Sequence, residues 1–244
     1  MGLTEIAAAI GMSKSSVHQL LATLQQRGFV RRIADQGYSI GIKAWEVGSV
    51  AAPMGLARIA EPHMMQLVQE ISDGVSLGVL DGCEMVCIQL VESPRAVRVH
   101  NNIGDRTPAH CVSSGRAYFS ATSDDVVSRL LPESLPKFTE TTLGSRDELL
   151  AELKRIRGRG YAFCRGAWRE EVGGASVPVI GSDGRVVAAL CVAAPAFCTT
   201  RDWVARVVPA LKSTAMLIEQ DLRCLGGTIP AATLEHEKEI AHQS

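Results

Sequence analysis

The side chains best suited to recognition chemistry stand between Ser13 and Gln19. Most are short polar groups, which hydrogen-bond to base edges in a major groove, and the lysine among them can pair with a phosphate. The hydroxyl of Ser13 is a preferred N-cap, because it satisfies a free backbone N–H of the first helical turn. The sequence therefore predicts a DNA-binding helix start that consists of Ser13, Lys14, Ser15, Ser16, His18 and Gln19.

Two short amphipathic helices around Gly11 must position these side chains. Ile6, Ala9 and Ile10 recur at helical spacing before the glycine, which breaks the pattern as a tight helix–helix turn requires. The second helix is expected to bury a stripe formed by Val17, Leu20, Leu21 and Leu24. Such a pair is also compatible with an ordinary helical hairpin that has a solvated polar face.

The residues after the second helix favour a winged helix-turn-helix over that simpler hairpin. Residues 29–33 and 37–41 alternate like two short strands, and residues 34–36 supply a turn between them. Arg31 and Arg32 would then contact phosphates, which contribute affinity and little sequence information.

Charge is distributed unevenly along the 244 residues. Residues 1–43 carry a net charge of +3, although the whole chain has a net charge of −1. A basic head on a mildly acidic body is typical of a DNA-binding unit joined to a domain with a different task. Apolar residues make up 46% and charged residues 21%, as expected for a soluble globular protein.

The cysteines and the hydropathy pattern indicate a cytoplasmic protein. Seven cysteines form no C-x-x-C pair, which argues against a disulfide framework and fits a reducing cytoplasm. We find neither a signal peptide nor an apolar run that could span a membrane, and we expect no membrane partner.

The periodicity divides the chain into four segments with an α+β organisation. We expect a DNA-binding domain in residues 1–41, a helical linker in 42–55, an α+β sensor domain in 56–225 and a flexible tail in 226–244. Pro53 and Gly55 should break the linker before a helix over 56–72. Strands are predicted at 75–80, 85–91, 97–100, 176–180 and 186–193, with helices between them and a long final helix over 201–225.

Five sequence blocks, in this order and spacing, resemble the IclR family of bacterial transcription regulators over residues 2 to about 225. The first is the winged helix-turn-helix, and the others are 75–82, 103–117, 159–162 and 184–195. The resemblance implies a homodimer or homotetramer that binds a palindromic operator in double-stranded DNA. It also implies a small-molecule effector in a GAF-like α/β domain, no enzymatic activity and no cofactor.

Carried over position by position, the resemblance implies an effector pocket formed by Ala96, Val99, Ser113, Ser114, Cys164, Val172, Gly174, Cys191 and Ala193. For Val99 and Val172 a plain core role is an equal alternative, because pockets and cores share lining residues. Arg165, Trp168 and Arg169 form a cationic and aromatic cluster that either closes over an anionic effector or lies on a solvated or subunit surface.

This chain departs from the family pattern in its pocket and at its start. Cys164 replaces a common acidic residue. Cys191 and Ala193 replace two serines, so two hydroxyls are gone and fewer donors remain for a small carboxylate. We therefore expect a larger or more apolar effector, such as an aromatic acid. The helix that precedes the family's helix-turn-helix has no counterpart before Leu3, and we expect either a start assigned too late or a trimmed chain.

Two other functions were weighed from the residues. Cys83, Cys87 and His100 match structural zinc spacing poorly, so we expect no metal site. A redox-sensing regulator is the main alternative, in which Cys164 or Cys191 reacts and Arg165 lowers a thiol pKa.

Overall fold

The computed structural model describes residues 1–33, 37–49 and 52–224, which form two compact units that meet in sequence at Gly55 and Leu56. The expected turn at 34–36 and the expected tail at 226–244 lie outside the described residues. None of the helices in the described ranges is long and apolar enough to cross a bilayer.

The first unit is a small helix-turn-helix followed by a hairpin. It consists of α1 (Leu3–Ile10), α2 (Lys14–Gln26), β1 (Val30–Ile33), β2 (Gly37–Ile40) and α3 (Ile42–Ser49). Gly11 ends α1 with a φ of 66°, a left-handed conformation that glycine adopts without strain. Ala7, Val17 and Leu21 form its core.

Two of the predicted apolar stripes are only partly buried. Leu20 is 45% exposed and Ile10 is 48% exposed, so the expectation that Leu20 belongs to the buried stripe is wrong. In this small core α1 and the hairpin supply the packing residues around Val17 and Leu21, and neither covers the side of α2 that carries Leu20.

The second unit is a six-stranded antiparallel sheet with helices on both faces, as expected for an α+β fold. Its strand order is β5-β4-β3-β8-β7-β6. The elements are α4 (Ala52–Ile71), β3 (Gly74–Asp81), β4 (Glu84–Val91), β5 (Arg106–Pro108), α5 (Ser113–Ser120), α6 (Asp124–Leu130), α7 (Arg146–Arg159), β6 (Ala162–Arg165), β7 (Val172–Ile180), β8 (Val186–Pro195) and α8 (Arg201–Cys224).

Alternation along the central strands gives the sheet two different faces. Val75, Val192 and Ala175 lie side by side on β3, β8 and β7, and they pack into the main core with α4 and α8. One residue further along, Ser76, Cys191 and Ser176 form a row on the opposite face. That face packs against α5, α6 and α7 at one end and borders a cavity at the other.

Two expected elements differ from the observed ones. The helix predicted to begin at residue 56 begins at Ala52 and includes Pro53 and Gly55, because a proline in the first helical turn loses no intrahelical hydrogen bond. Residues 97–100 do not form a strand, and Val97 is 65% exposed. The edge of β4 is instead occupied by β5 and by backbone hydrogen bonds of Cys87 with Gly104 and Asp105.

Candidate functional site

The predicted DNA-binding side chains share one exposed helix start. Ser13 is the N-cap of α2, and its hydroxyl accepts a hydrogen bond from the backbone N–H of Ser16 at 3.2 Å. It also lies 2.9 Å from the hydroxyls of Ser15 and Ser16. All six predicted residues, Ser13, Lys14, Ser15, Ser16, His18 and Gln19, are exposed. Ser13 is therefore engaged in capping, while the side chains of Lys14, His18 and Gln19 are exposed and make no hydrogen bond or ion pair with the described residues.

The basic residues of the first unit are of two kinds. Arg31 and Arg32 are exposed on β1, and neither they nor Lys14 form an ion pair with any residue the structure describes. Lys43 differs, because its ammonium group lies 2.6 Å from the carboxylate of Glu46. The unpaired cations can neutralise phosphates without breaking an existing contact.

A cavity of about 250 Å³ lies in the second unit, on the sheet face opposite the main core. Its floor is made of small side chains on adjacent strands, which leaves room above the sheet. Gly174 pairs with both Cys164 and Ala193, so these three residues cross the sheet in one row. A side chain at Gly174 would stand 3.1 Å from the hydroxyl of Ser113, which shows how closely α5 approaches this row.

Hydroxyl groups are concentrated around the thiol of Cys191. Ser76 and Ser176 flank it on the neighbouring strands. The hydroxyl of Ser113 reaches down from α5, 2.7 Å from the hydroxyl of Ser176 and 3.6 Å from the Cys191 sulfur. This cluster offers rotatable donors and acceptors to a polar group in the cavity.

The N-terminus of α5 opens onto the same cavity. Val112 occupies the N-cap position and supplies no side-chain hydrogen bond, and the backbone N–H groups of Ser113 and Ser114 have no acceptor among the described residues. Gly115 lets α5 pack closely against the backbone of Ala109, since a Cβ at this position would lie 2.1 Å from the Ala109 carbonyl oxygen. Free N–H groups and the helix dipole favour a negatively charged group at such a position.

Apolar and aromatic groups also line the cavity. They include Met85, Val99, Val172 and Trp168. The indole of Trp168 packs edge-on against Phe138, with ring centroids 4.5 Å apart. The cavity thus combines polar and apolar lining groups, as a site for an amphipathic organic molecule requires.

Eight of the nine predicted pocket residues line this cavity. They are Val99, Ser113, Ser114, Cys164, Val172, Gly174, Cys191 and Ala193. Ala96 is exposed and lies outside the lining, in the segment between β4 and β5. From the cationic and aromatic cluster, Trp168 and Arg169 line the cavity and Arg165 does not.

Several lining residues were not predicted from the sequence. The cavity is also lined by Ser76, Cys87, Arg106 and Cys111. Strand pairing brings Ser76 and Cys87 there, and only the alternation of β3 could have indicated the first of them. The guanidinium of Arg106 is already paired, at 2.6 Å from Asp81 and 2.7 Å from Glu84.

The four thiols that border the cavity are held in their protonated form. Burial raises the pKa of Cys87 to about 11 and that of Cys111 to about 12, and it also raises the pKa values of Cys164 and Cys191. The expectation that Arg165 lowers a thiol pKa is wrong. Burial dominates at Cys164, and the arginines that partly oppose it are Arg116 and Arg159.

The described residues contain no cluster of three metal-binding side chains. The thiol of Cys83 donates a hydrogen bond to the carbonyl oxygen of Leu130, at 2.9 Å. The combination of Cys83, Cys87 and His100 therefore does not form a zinc-binding geometry within the described residues.

Family models match both units. One described as "Bacterial transcriptional regulator IclR C-terminal" matches residues 48–220, and one described as "IclR helix-turn-helix domain" matches residues 1–34.

Named relatives agree with these matches. The transcriptional repressor IclR of Escherichia coli is 34% identical over 168 residues, which cover 67% of this chain and 61% of the repressor. The matched region thus spans less than two thirds of that relative's length. The regulator XynR of the same species is 32% identical over 191 residues, covering 77% of this chain and 76% of XynR.

Solved structures show the same architecture. An IclR homologue from Microbacterium hydrocarbonoxydans, complexed with 4-hydroxybenzoate, superposes with a TM-score of 0.80 and 25% identity over 92% of each chain. A putative transcriptional regulator from Rhodococcus sp. RHA1 has a TM-score of 0.78 and 26% identity, covering 92% of this chain and 91% of that chain.

Proposed function

Because the chain belongs to the IclR family of bacterial transcriptional regulators, we propose that it binds operator DNA with an affinity controlled by an organic acid in the cavity. The observation that supports the proposal most is the mixed lining of the cavity above the sheet. Its polar groups include the α5 N-terminus and the Ser113 hydroxyl, and its apolar groups include Trp168 and aliphatic residues.

The first unit supports the DNA-binding part of the proposal. The exposed residues at the start of α2 fit the major groove, and Arg31 and Arg32 on β1 contact phosphates. A single copy offers few phosphate contacts. We therefore propose a homodimer, or a homotetramer built from dimers, that reads the two halves of a palindromic operator.

The effector is an aromatic or similarly apolar carboxylic acid. The cavity volume of about 250 Å³ is below the ~300–1,000 Å³ that is typical of sites for drug-sized ligands, so the effector is small. The carboxylate faces the free N–H groups of Ser113 and Ser114, and the ring packs against Trp168. The Microbacterium homologue, which binds 4-hydroxybenzoate, supports this class.

Effector binding acts through the linker in residues 42–55. An effector changes operator affinity only if it binds one arrangement of the DNA-binding units more tightly than another. Helix α3 and the first turn of α4 occupy this segment, and we propose that their geometry or freedom differs between the two states.

A thermal-shift screen against short and aromatic acids tests the effector class. Ligand that binds the folded state raises the melting temperature by mass action. We expect 4-hydroxybenzoate or benzoate to raise it more than glyoxylate at equal concentration. Tighter binding of glyoxylate than of every aromatic acid would exclude an aromatic effector.

The redox-sensing alternative receives little support from the thiol geometry. Cys164 and Cys191 lie on β6 and β8 with β7 between them, and Cys164 is in the row of Ala193, two residues along β8 from Cys191. Their Cα atoms are therefore more than two interstrand spacings of ~4.8 Å apart. A disulfide requires Cα atoms within about 7 Å, so these two residues do not form one without backbone movement. Operator release by peroxide that is lost in Cys164→Ser or Cys191→Ser would restore this alternative.

A further inference from the structure

The guanidinium group of Arg116, on α5, is buried beside the cavity without a negatively charged partner. The residue is 6% exposed, and its Nε donates a hydrogen bond to the carbonyl oxygen of His110 at 2.8 Å. Its buried Nη2 has no acceptor among the residues the structure describes. A buried charge without a counter-charge is costly, and such a group retains a strong preference for an anionic partner.

Arg116 lies on the same side of α5 as a residue of the cavity wall. It follows Ser113, which lines the cavity, by three residues, so the two share one side of the helix. Among the described residues Arg116 itself is not part of the lining, so its charge acts on the cavity from behind the wall. The positive charge of Arg116 also acts on Cys111 and Cys164, two further lining residues. There it opposes the rise in thiol pKa that burial causes.

Two carboxylates lie near the thiols of this cavity, and both already accept hydrogen bonds. Asp105, which lines the cavity, accepts one from the backbone N–H of Asn102 at 2.7 Å. The carboxylate of Glu152 influences Cys164, and it pairs with Arg159 at 2.8 Å and with Arg155 at 3.3 Å. Within the described ranges, no carboxylate oxygen lies within 4.0 Å of the Arg116 nitrogens. The counter-charge that Arg116 lacks is therefore not supplied by the described side chains.

We propose that Arg116 is the specificity-determining residue that makes this cavity select a negatively charged effector. The inference rests on the proposed function and assigns to the Arg116 guanidinium the selection of effector charge within the same site. The anionic end of the effector lies at the α5 N-terminus, on the side of the helix that carries Arg116. A neutral ligand of the same shape leaves the guanidinium uncompensated and binds more weakly.

Calorimetric titration of the full chain with 4-hydroxybenzoate and with its neutral isostere 4-hydroxybenzamide tests this inference. We expect the wild-type protein to prefer the acid by about tenfold or more, the range of a hydrogen-bonded charge. Arg116→Met should bring the ratio of the two affinities close to one, whereas Arg116→Lys, which keeps the charge, should retain much of the preference.

The outcomes separate the two proposals. An unchanged preference for the acid in folded Arg116→Met overturns the role of Arg116 and leaves the effector proposal standing. Binding of neither compound by the wild-type protein overturns the aromatic-acid effector and, with it, the charge selection proposed here.

A second pair of variants keeps Arg116 and supplies the missing counter-charge. Cys164→Asp places a carboxylate on the cavity wall, at a position where the Arg116 charge acts. Cys164→Asn is the neutral control of the same shape. We expect the Asp variant to bind 4-hydroxybenzoate about tenfold more weakly than the Asn variant. Equal affinities of the two variants overturn the proposal even if Arg116→Met does not fold.

Discussion

Replacing Lys14 by alanine is expected to weaken DNA binding most at low salt, whereas replacing Lys43 is expected to have little effect. Lys14 begins α2, is exposed and has no ion pair among the described residues. The ammonium of Lys43 is already held 2.6 Å from Glu46. The two substitutions remove the same formal charge from the same unit, so the comparison isolates the charge that is free to meet phosphate.

The expected magnitude follows from counterion release. Each phosphate contact contributes about 0.9 to the slope of log affinity against log salt, so two copies in the proposed dimer lose about 1.8. Between about 50 and 200 mM salt, the affinity deficit of Lys14→Ala should therefore shrink by roughly 12-fold. Lys43→Ala should follow the wild-type slope.

Fluorescence anisotropy with a labelled duplex, selected from a random library by the wild-type protein, measures these slopes. Circular dichroism melting of both variants checks that they remain folded. A Lys14→Ala slope equal to that of the wild-type protein would refute the placement of this residue against phosphate. Equal changes in Lys14→Ala and Lys43→Ala would refute the argument from the Glu46 ion pair.

Three further outcomes are expected. Gln19→Ala should change the base preference found by duplex selection, whereas Gln25→Ala, an exposed control near the end of α2, should not. Burial lowers the pKa of His110 below 6.5, so the unfolded chain takes up the proton first and stability falls as the pH drops below about 6.5; urea unfolding of His110→Asn should show a flatter pH profile. In the native protein at pH 7.5, Ellman's reagent should leave Cys87 and Cys111 unmodified, and unfolding in urea should make both reactive.

Local patterns predicted the elements whose signals are contained within a few residues. The capped start of α2 at Ser13, the glycine stop at Gly160 and the turn that contains Gly82 depend on backbone chemistry that a short sequence reveals. Burial was harder to predict in the small first unit. Leu20 has the spacing of a core residue and is exposed, because burial depends on what packs against the helix.

The cavity was predicted in part, since it depends on strands that are distant in sequence. The family resemblance led to Cys164, Cys191 and Ser113, which all line it. Ser76 and Cys87 reach it through the register of β3 with β8 and β4, and that register joins segments distant in sequence. The unpaired Nη2 of Arg116 is also a tertiary property, because it depends on every side chain around it.

Successive residue rows across the central sheet face the hydrophobic core and the cavity in turn. Leu77, Leu190 and Val177 occupy one row on the core face, and the neighbouring row on the cavity face carries Ser76 and Cys191. A mutation in the cavity row alters the volume and polarity offered to a ligand while the hydrophobic packing behind it keeps its shape. Single substitutions in the cavity row can therefore change the shape and polarity of the cavity while the core row on the other face keeps its side chains.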